Sequence, residues 1–367
     1  MTGVETFILQ LVEAQKRAGL RPSVTMDFDG REEVSGRVRS MGIPTHSFPM
    51  PDETGSRLPR KLRTAGLRAQ RVRALVKLLS DADVLHMHSV GMVGFDAYLA
   101  ASIARKPVIV THHTTLAYTT NPTKLDDATF WLEKHVASYS VMPYQAAADE
   151  LVRGGVTRAK SAVIPYCFDE TRFKGRCAEA APGQLTLVMA ARLFDGKGHR
   201  ELLSAVDSLR LRHSGLRLIL VGEGPERAAL DAEIDRRGLR DVVQVRGRVD
   251  HAAMPALFRT AQVVVLPSYM HGETFPLSLL EAMALGMPAI GTRWFGIPDI
   301  IEDGRTGFIV EPRDAEGLAS AIERFLVDPS LLAVSGRRAA ERVQSRFTAS
   351  AVAHEYSRLY TKALTAS

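Results

Sequence analysis

The chain has 367 residues, 46% hydrophobic and 24% charged, with a formal net charge of +6. That length suits two domains of ordinary size, each able to bury its own core, and the modest positive excess permits an anionic substrate without demanding nucleic acid. Two cysteines, Cys167 and Cys177, form neither a disulfide framework nor a metal-ligand cluster, and no apolar run approaches the ~20 residues of a membrane span, so a reducing, cytoplasmic setting is expected.

Strand-like apolar runs alternate with helical stretches throughout, which predicts an α/β architecture with mostly parallel sheets. Phe7, Ile8, Leu11 and Val12 recur at helical spacing after Gly3. Strands are expected at 23–27, 45–48, 83–88, 107–111, 137–142 and 161–164. Between the second and third, from Arg57 to Lys77, lie eight basic residues and no acidic one: Arg57, Arg60, Lys61, Arg63, Arg68, Arg71, Arg73 and Lys77. Leu58, Leu62, Ala65, Ala69, Val72 and Val76 recur among them at three or four, which predicts a basic amphipathic helix. Such a helix either meets an anionic membrane surface or packs on a core with a solvated outer face, the commoner case. It lacks the interleaved aromatics of a nucleic-acid-binding segment.

His112 and His113 follow the strand at 107–111 and so sit at its carboxyl end, where sites in parallel sheets gather. His86 and His88 flank another strand end. No H-E-x-x-H spacing links these four histidines, so a zinc site is not expected.

A linker is expected at 174–184, where Gly, Ala and Pro replace periodic hydrophobics. A buried strand at 185–190 then runs into Ala191-Arg192-Leu193 and Asp195-Gly-Lys197-Gly198. The run 218–221 leads to Gly222-Glu-Gly224-Pro225, half of a dinucleotide fingerprint, but Arg227 stands where the third glycine belongs, so NAD binding is a weak reading. The strand at 242–245 precedes Gly247-Arg248-Val249. The run 262–266 is short, β-branched and uninterrupted, as a strand buried on both faces would be. After it come Gly272, Glu273, Thr274 and Pro276, then a helix through Ala284 ended by Gly286 and Pro288, with Pro276 expected at the first helical position. A loop from the carboxyl end of a parallel strand into a helix N-terminus is a natural anion site. Glu273 falls in that loop, and Glu281 falls more than a turn into the helix. A carboxylate can take two hydroxyl hydrogens at once, as the vicinal hydroxyls of a ribose require. The last helical segment, 351–365, carries Val352, Tyr356, Leu359, Tyr360 and Leu364 on one face.

The run Glu273-Thr-Phe-Pro-Leu-Ser-Leu-Leu-Glu281-Ala-Met-Ala-Leu-Gly-Met-Pro288 resembles the E-x7-E signature of retaining GT-B glycosyltransferases, the glycosyl transferase group 1 (family 4) class. The later run from Gly296 to Val310, Gly-Ile-Pro-Asp-Ile-Ile-Glu-Asp-Gly-Arg-Thr-Gly-Phe-Ile-Val, extends the match. The resemblance implies two facing Rossmann-like domains with a cleft between them: an acceptor-binding domain at 1–173, a nucleotide-sugar domain at 174–350, and a helix at 351–367 crossing back to the first. It places Glu281 on the donor ribose and Glu273 near the donor sugar. Residues 111–114 are similar to the family's T-x-H-T, which sets His113 facing that sugar. Residues 191–198 are similar to G-R-L…K-G, with alanine for the first glycine. Arg192 and Lys197 would then stabilise the charge that grows on a departing diphosphate, without a metal.

Gly222 and Gly224 would form the floor of the donor site, and the backbone around Val249 would hold the base. Thr274, Phe275 and Leu277 would meet the diphosphate at the helix start, where Pro276 has no N–H to give. The opening around Gly3 resembles the family's G-G-x-E turn, but the preceding strand and one glycine are absent, so residues upstream are expected to be missing. Gly3 is either a close-approach glycine or a plain helix start. Asp81-Ala-Asp83 runs into a strand and is not a D-x-D metal motif. The expectation is therefore a retaining, metal-independent hexosyltransferase with a nucleotide-diphosphate sugar as co-substrate and no cofactor. Polysaccharide, glycolipid and natural-product acceptors all fit, bound by loops at 49–60 and 115–124 with Tyr118 as a stacking platform. Contact with the inner face of the membrane would run through the basic helix. The rival readings are an epimerase or disaccharide phosphorylase of the same fold, and a non-catalytic sugar- or membrane-binding module.

Overall fold

Runs of three to seven residues, most of them apolar, form the strands, and amphipathic stretches between them form most of the helices. The computed structural model describes residues 3–26, 32–47, 60–88, 92–113, 124–175 and 183–366. The expected acceptor loops, with Tyr118, lie outside the described residues except at their ends. So do Cys177 and the side chains of Arg57, Arg60, Lys61 and Arg63. The chain divides into two units, Met1–Pro165 with Val352–Ser367, and Tyr166–Ala351.

The first unit runs α1 (Gly3–Arg17), β1 (Val24–Met26), α2 (Glu32–Ser40), β2 (Thr45–Ser47), α3 (Arg60–Ser80), β3 (Leu85–His88), α4 (Met92–Ala104), β4 (Val108–Thr111), α5 (Lys124–Val136), β5 (Tyr139–Met142), α6 (Gln145–Arg153) and β6 (Ser161–Val163). Strands β3, β4, β5 and β6 form a parallel sheet in chain order, and β1 pairs with β2. Each of the six expected strands is found within one or two residues of its anticipated bounds.

Helix α3 corrects one expectation. Its basic residues do not all face solvent. Arg71 is 4% exposed, and both it and Arg68 pair with the buried Asp96 of α4, at 3.7 and 2.8 Å. The three-residue step from Arg68 to Arg71 continues into Leu75 and Leu79, so these two cations lie on the packed stripe and need a buried counter-charge. Arg73 and Lys77 are exposed.

The second unit runs β7 (Gln184–Ala190), α7 (His199–Arg210), β8 (Gly215–Val221), α8 (Arg227–Arg236), β9 (Val243–Val245), α9 (Met254–Phe258), β10 (Val263–Leu266), α10 (Leu277–Ala284), β11 (Ala289–Thr292), α11 (Ile297–Ile300), β12 (Gly307–Val310), α12 (Ala315–Val327) and α13 (Pro329–Arg346). The stretch before the expected linker belongs here. Phe168 donates its N–H to Phe347 O and accepts from Ala349 N, and Phe173 is buried beside Phe258. The sheet is parallel in the order β12-β11-β10-β7-β8-β9. Neighbours β7 and β10 are the pair at which the winding direction reverses, so their carboxyl-end loops part there and leave a crevice. Pro276 is the N-cap of α10, with φ −72° and ψ 114°, rather than its first helical residue. The last helix, α14 (Ala349–Thr365), joins the first unit from Val352 onward.

Candidate active site

Two loops meet at the switch point of the second unit. The loop after β7 carries Arg192 and Lys197, and the loop after β10 carries Glu273. They are locked together by backbone: Tyr269 N donates to Gly196 O at 2.7 Å, and Gly198, at φ +85°, lies so close that a Cβ would stand 2.2 Å from Pro267 O. Gly222, at φ +144°, lets the loop after β8 approach in the same way, with a Cβ there 2.0 Å from Ala191 O. Gly224 shares that loop, which is tied to the first by a bond from Leu193 N to Glu223 O at 3.0 Å. Gly222 N in turn donates to Gly247 O, bringing the half-buried Val249 segment alongside.

Within this frame Lys197 Nζ donates to Glu273 Oε2, and the two residues are 7% and 8% exposed. An ammonium has three donors, so this pairing leaves two for another anion. Thr274 and Phe275 are buried, with Thr274 O accepting from Gly296 N and the Phe275 ring packed against Tyr166 and Phe347. At the start of α10 the N–H groups of Leu277 and Ser278 take no acceptor among the described residues, and they carry the positive end of the helix dipole. Glu281 is 4% exposed. His251 Nε2 lies 2.7 Å from its Oε1, while Oε2 has no partner among the described residues. His199, buried beside Lys197, is pushed down to about 4, by burial first and then by the lysine's charge. Arg192 stands apart from the acids, exposed and with its guanidinium 4.7 Å over the Phe194 ring.

The first unit holds a second cluster at the carboxyl ends of β3 and β4. His113 is 7% exposed, its Nε2 3.2 Å from His88 Nδ1. His88 stacks on His113 with centroids 5.3 Å apart and packs tilted against His86 at 4.1 Å. His86 Nδ1 lies 2.7 Å from the Tyr360 hydroxyl and its Nε2 2.8 Å from Thr111 Oγ1, which is 2.9 Å from the Tyr356 hydroxyl. Gln15 donates its amide N–H to Tyr360 at 2.7 Å. With Gln15 donating to it, the Tyr360 hydroxyl is free to give its own proton to His86 Nδ1, an order that sets the His86 proton on Nε2, toward Thr111. Burial keeps all three imidazoles neutral: His86 is pushed down to about 3, and His88 and His113 also fall well below the ordinary value. His112 turns inward to Glu133 at 2.7 Å. No cluster of His, Cys, Asp or Glu suited to a metal occurs among the described residues. Gly3 begins α1 in open space: a Cβ added there would meet nothing within 4 Å, so no contact among the described residues requires glycine at that position.

Residues 1–172 match the family model for Glycosyltransferase Family 4, and residues 174–342 match that for Glycosyl transferases group 1. The chain belongs to this glycosyltransferase family. It is 28% identical over 293 residues to an alpha-D-kanosaminyltransferase of Streptomyces kanamyceticus, covering 75% of each protein. It is 32% identical over 217 residues to a putative colanic acid biosynthesis glycosyltransferase, WcaL, of Escherichia coli K12, covering 58% of this chain and 53% of that one. Among solved structures, Anabaena Alr3699/HepE in complex with UDP matches 98% of this chain at a TM-score of 0.81 and 20% identity. A sucrose-phosphate synthase from Thermosynechococcus elongatus matches 98% at 0.72 and 23%. These likenesses show the GT-B fold, with two Rossmann-like units. The glycosyltransferase's His251 and Gln15 went unmarked in the sequence, and Tyr356 and Tyr360 were read only as part of a helix face. For His251 the one available signal was its place just past the β9 strand end.

Proposed function

We propose that this glycosyltransferase is a retaining enzyme that moves a sugar from a nucleoside-diphosphate sugar to an acceptor hydroxyl, in polysaccharide, glycolipid or natural-product glycosylation. The observation that carries the reading is the buried Lys197–Glu273 pair at the switch point, beside the open N–H groups of α10. As the bond from the anomeric carbon to the diphosphate breaks, negative charge grows on the leaving oxygens. Lys197, the exposed Arg192 and the amides of Leu277 and Ser278 are fixed donors for that charge, which water would have to reorganise to meet. Glu273 accepts from sugar hydroxyls and holds Lys197 in place. His113 is assigned to the sugar hydroxyls as a neutral hydrogen-bonding group. Glu281 accepts from the ribose. The acceptor oxygen attacks the face that the diphosphate leaves.

The structure of Alr3699/HepE with UDP-glucose supports a nucleotide-sugar donor for this chain too. Charge stabilisation of this kind needs no metal, so turnover should survive EDTA. Exposed Arg73 and Lys77 are the part of α3 that would meet an anionic membrane; no helix among the described residues is long and apolar enough to cross one. The test is a panel of UDP-, GDP-, ADP- and dTDP-sugars, scored by slow hydrolysis and by the anomeric configuration of the first product. An inverted product, or activity lost to EDTA and restored by manganese, would overturn the scheme.

A further inference from the structure

Glu281 is a buried carboxylate with one oxygen engaged and one open. The engaged oxygen faces His251, and the state of that imidazole is fixed from its far side. Arg172 Nη1 lies 3.3 Å from His251 Nδ1. A guanidinium only donates, so Nδ1 accepts and the ring proton sits on Nε2, aimed at Glu281 Oε1. Arg172 is itself held by Asp169, Nε to Oδ2 at 3.7 Å, and Asp169 Oδ1 accepts from the backbone N–H and hydroxyl of Thr171. The His251 ring packs against Phe173, centroids 5.8 Å apart. Asp169, Arg172, His251 and Glu281 thus form a one-directional relay that ends on an oxygen inside the site.

We propose that His251 is a positioning residue that pins Glu281 in the rotamer presenting Oε2 to a vicinal diol, and so makes the site select ribonucleotides over 2′-deoxyribonucleotides. This rests on the assignment of Glu281 to the donor ribose. With both carboxylate oxygens placed, the two ribose hydroxyls complete an otherwise half-satisfied buried anion. Removing the 2′-hydroxyl leaves that anion short of a donor, which disfavours the deoxy ligand.

The test is calorimetric binding of UDP and 2′-deoxy-UDP, with the GDP and ADP pairs alongside, to the full chain and to H251A, H251Q and E281Q. The unsubstituted protein should favour the ribo form by ~10-fold or more, the weight of a charge-assisted hydrogen bond. H251A should bring the preference to within about threefold by weakening ribo binding, with deoxy binding nearly unchanged. H251Q, which restores an N–H, should recover part of it. Should H251A disturb folding, H251F keeps the packing on Phe173 and removes the donor. A preference that survives in folded H251A or H251F but vanishes in E281Q overturns the positioning role alone. A preference that survives in E281Q, or no binding of any of the three diphosphates, overturns the ribose assignment itself.

Discussion

Acidification from pH 7 to pH 5 should weaken the first unit far more than the second. His86 is held at about 3, by burial first and then by the charge of His113; His88 and His113 are held well below their ordinary value, again mainly by burial. In the unfolded chain each returns to ~6.5. Because the folded values are depressed, the unfolded chain binds the extra protons. The stability is present above pH 6.5 and drains away as pH falls, down to about 3 for His86. Between pH 7 and pH 5 an imidazole that charges only on unfolding, as His86 does, costs ~2 kcal/mol, and His88 and His113 add in the same direction. Their sum is a large part of the ~5–15 kcal/mol that holds a domain together. Among the described residues the second unit has one such group, His199, held at about 4, and should lose ~2 kcal/mol. The chain has two tryptophans, Trp131 in the first unit and Trp294 in the second, so W294F and W131F each report on a single unit. Urea unfolding followed by fluorescence at the two pH values gives both losses. If the first unit loses no more than the second, the imidazoles are charged in the fold and the proton order from Gln15 to Tyr356 is wrong.

Lys197→Ala strands a buried carboxylate and should cost ~3–5 kcal/mol in denaturant titrations, whereas K197M/E273Q together should cost much less; both should abolish turnover. Asp96→Ala should cost at least ~3 kcal/mol by leaving Arg71 buried without its carboxylate, while R73A/K77A should stay within ~0.5 kcal/mol. The same R73A/K77A chain, sedimented with phosphatidylglycerol vesicles, should bind less than the parent; equal binding removes α3 as the membrane face. Gly222→Ala combines φ +144° with a Cβ 2.0 Å from Ala191 O and should cost more than ~2 kcal/mol, read as a fall in the urea midpoint.

Strand positions were legible because a parallel strand covered on both faces must be apolar along its whole length, as Val263–Leu266 is. Lys197 and Glu273 were legible through the family resemblance of their loops; strand-end placement agreed with it, but spacing alone would have left both as surface charges. Side-chain partners set by packing were not. Arg71 looks like one more cation in a basic run, and only the helix phase against α4 reveals that it points to Asp96. His251 precedes Glu281 by 30 residues and Tyr360 follows His86 by 274, separations at which no local pattern constrains orientation. Pro276 illustrates the smaller error: its fixed φ suits a helix start, but its ψ of 114° is extended, so the first turn begins one residue later.

Both histidine relays begin at a nitrogen that can only give a proton, the Gln15 amide in one unit and the Arg172 guanidinium in the other. The guanidinium faces the imidazole directly and fixes the tautomer of His251, whereas the amide reaches His86 through a hydroxyl that can give or take. The consequence bears on how the chemistry is divided. His86, pushed down to about 3 by burial first, stays neutral and orients its neighbours near neutral pH, while His251 presents its one ring N–H to Glu281. In the proposed mechanism, the charge that builds on a departing diphosphate is met by groups already charged or already polarised in the resting protein. Those are Lys197, Arg192 and the first amides of α10. The pH dependence of the chemical step should accordingly be flat between pH 6.5 and 8. A sharp kcat transition with a midpoint near 6.5 would show that an imidazole carries the reaction after all.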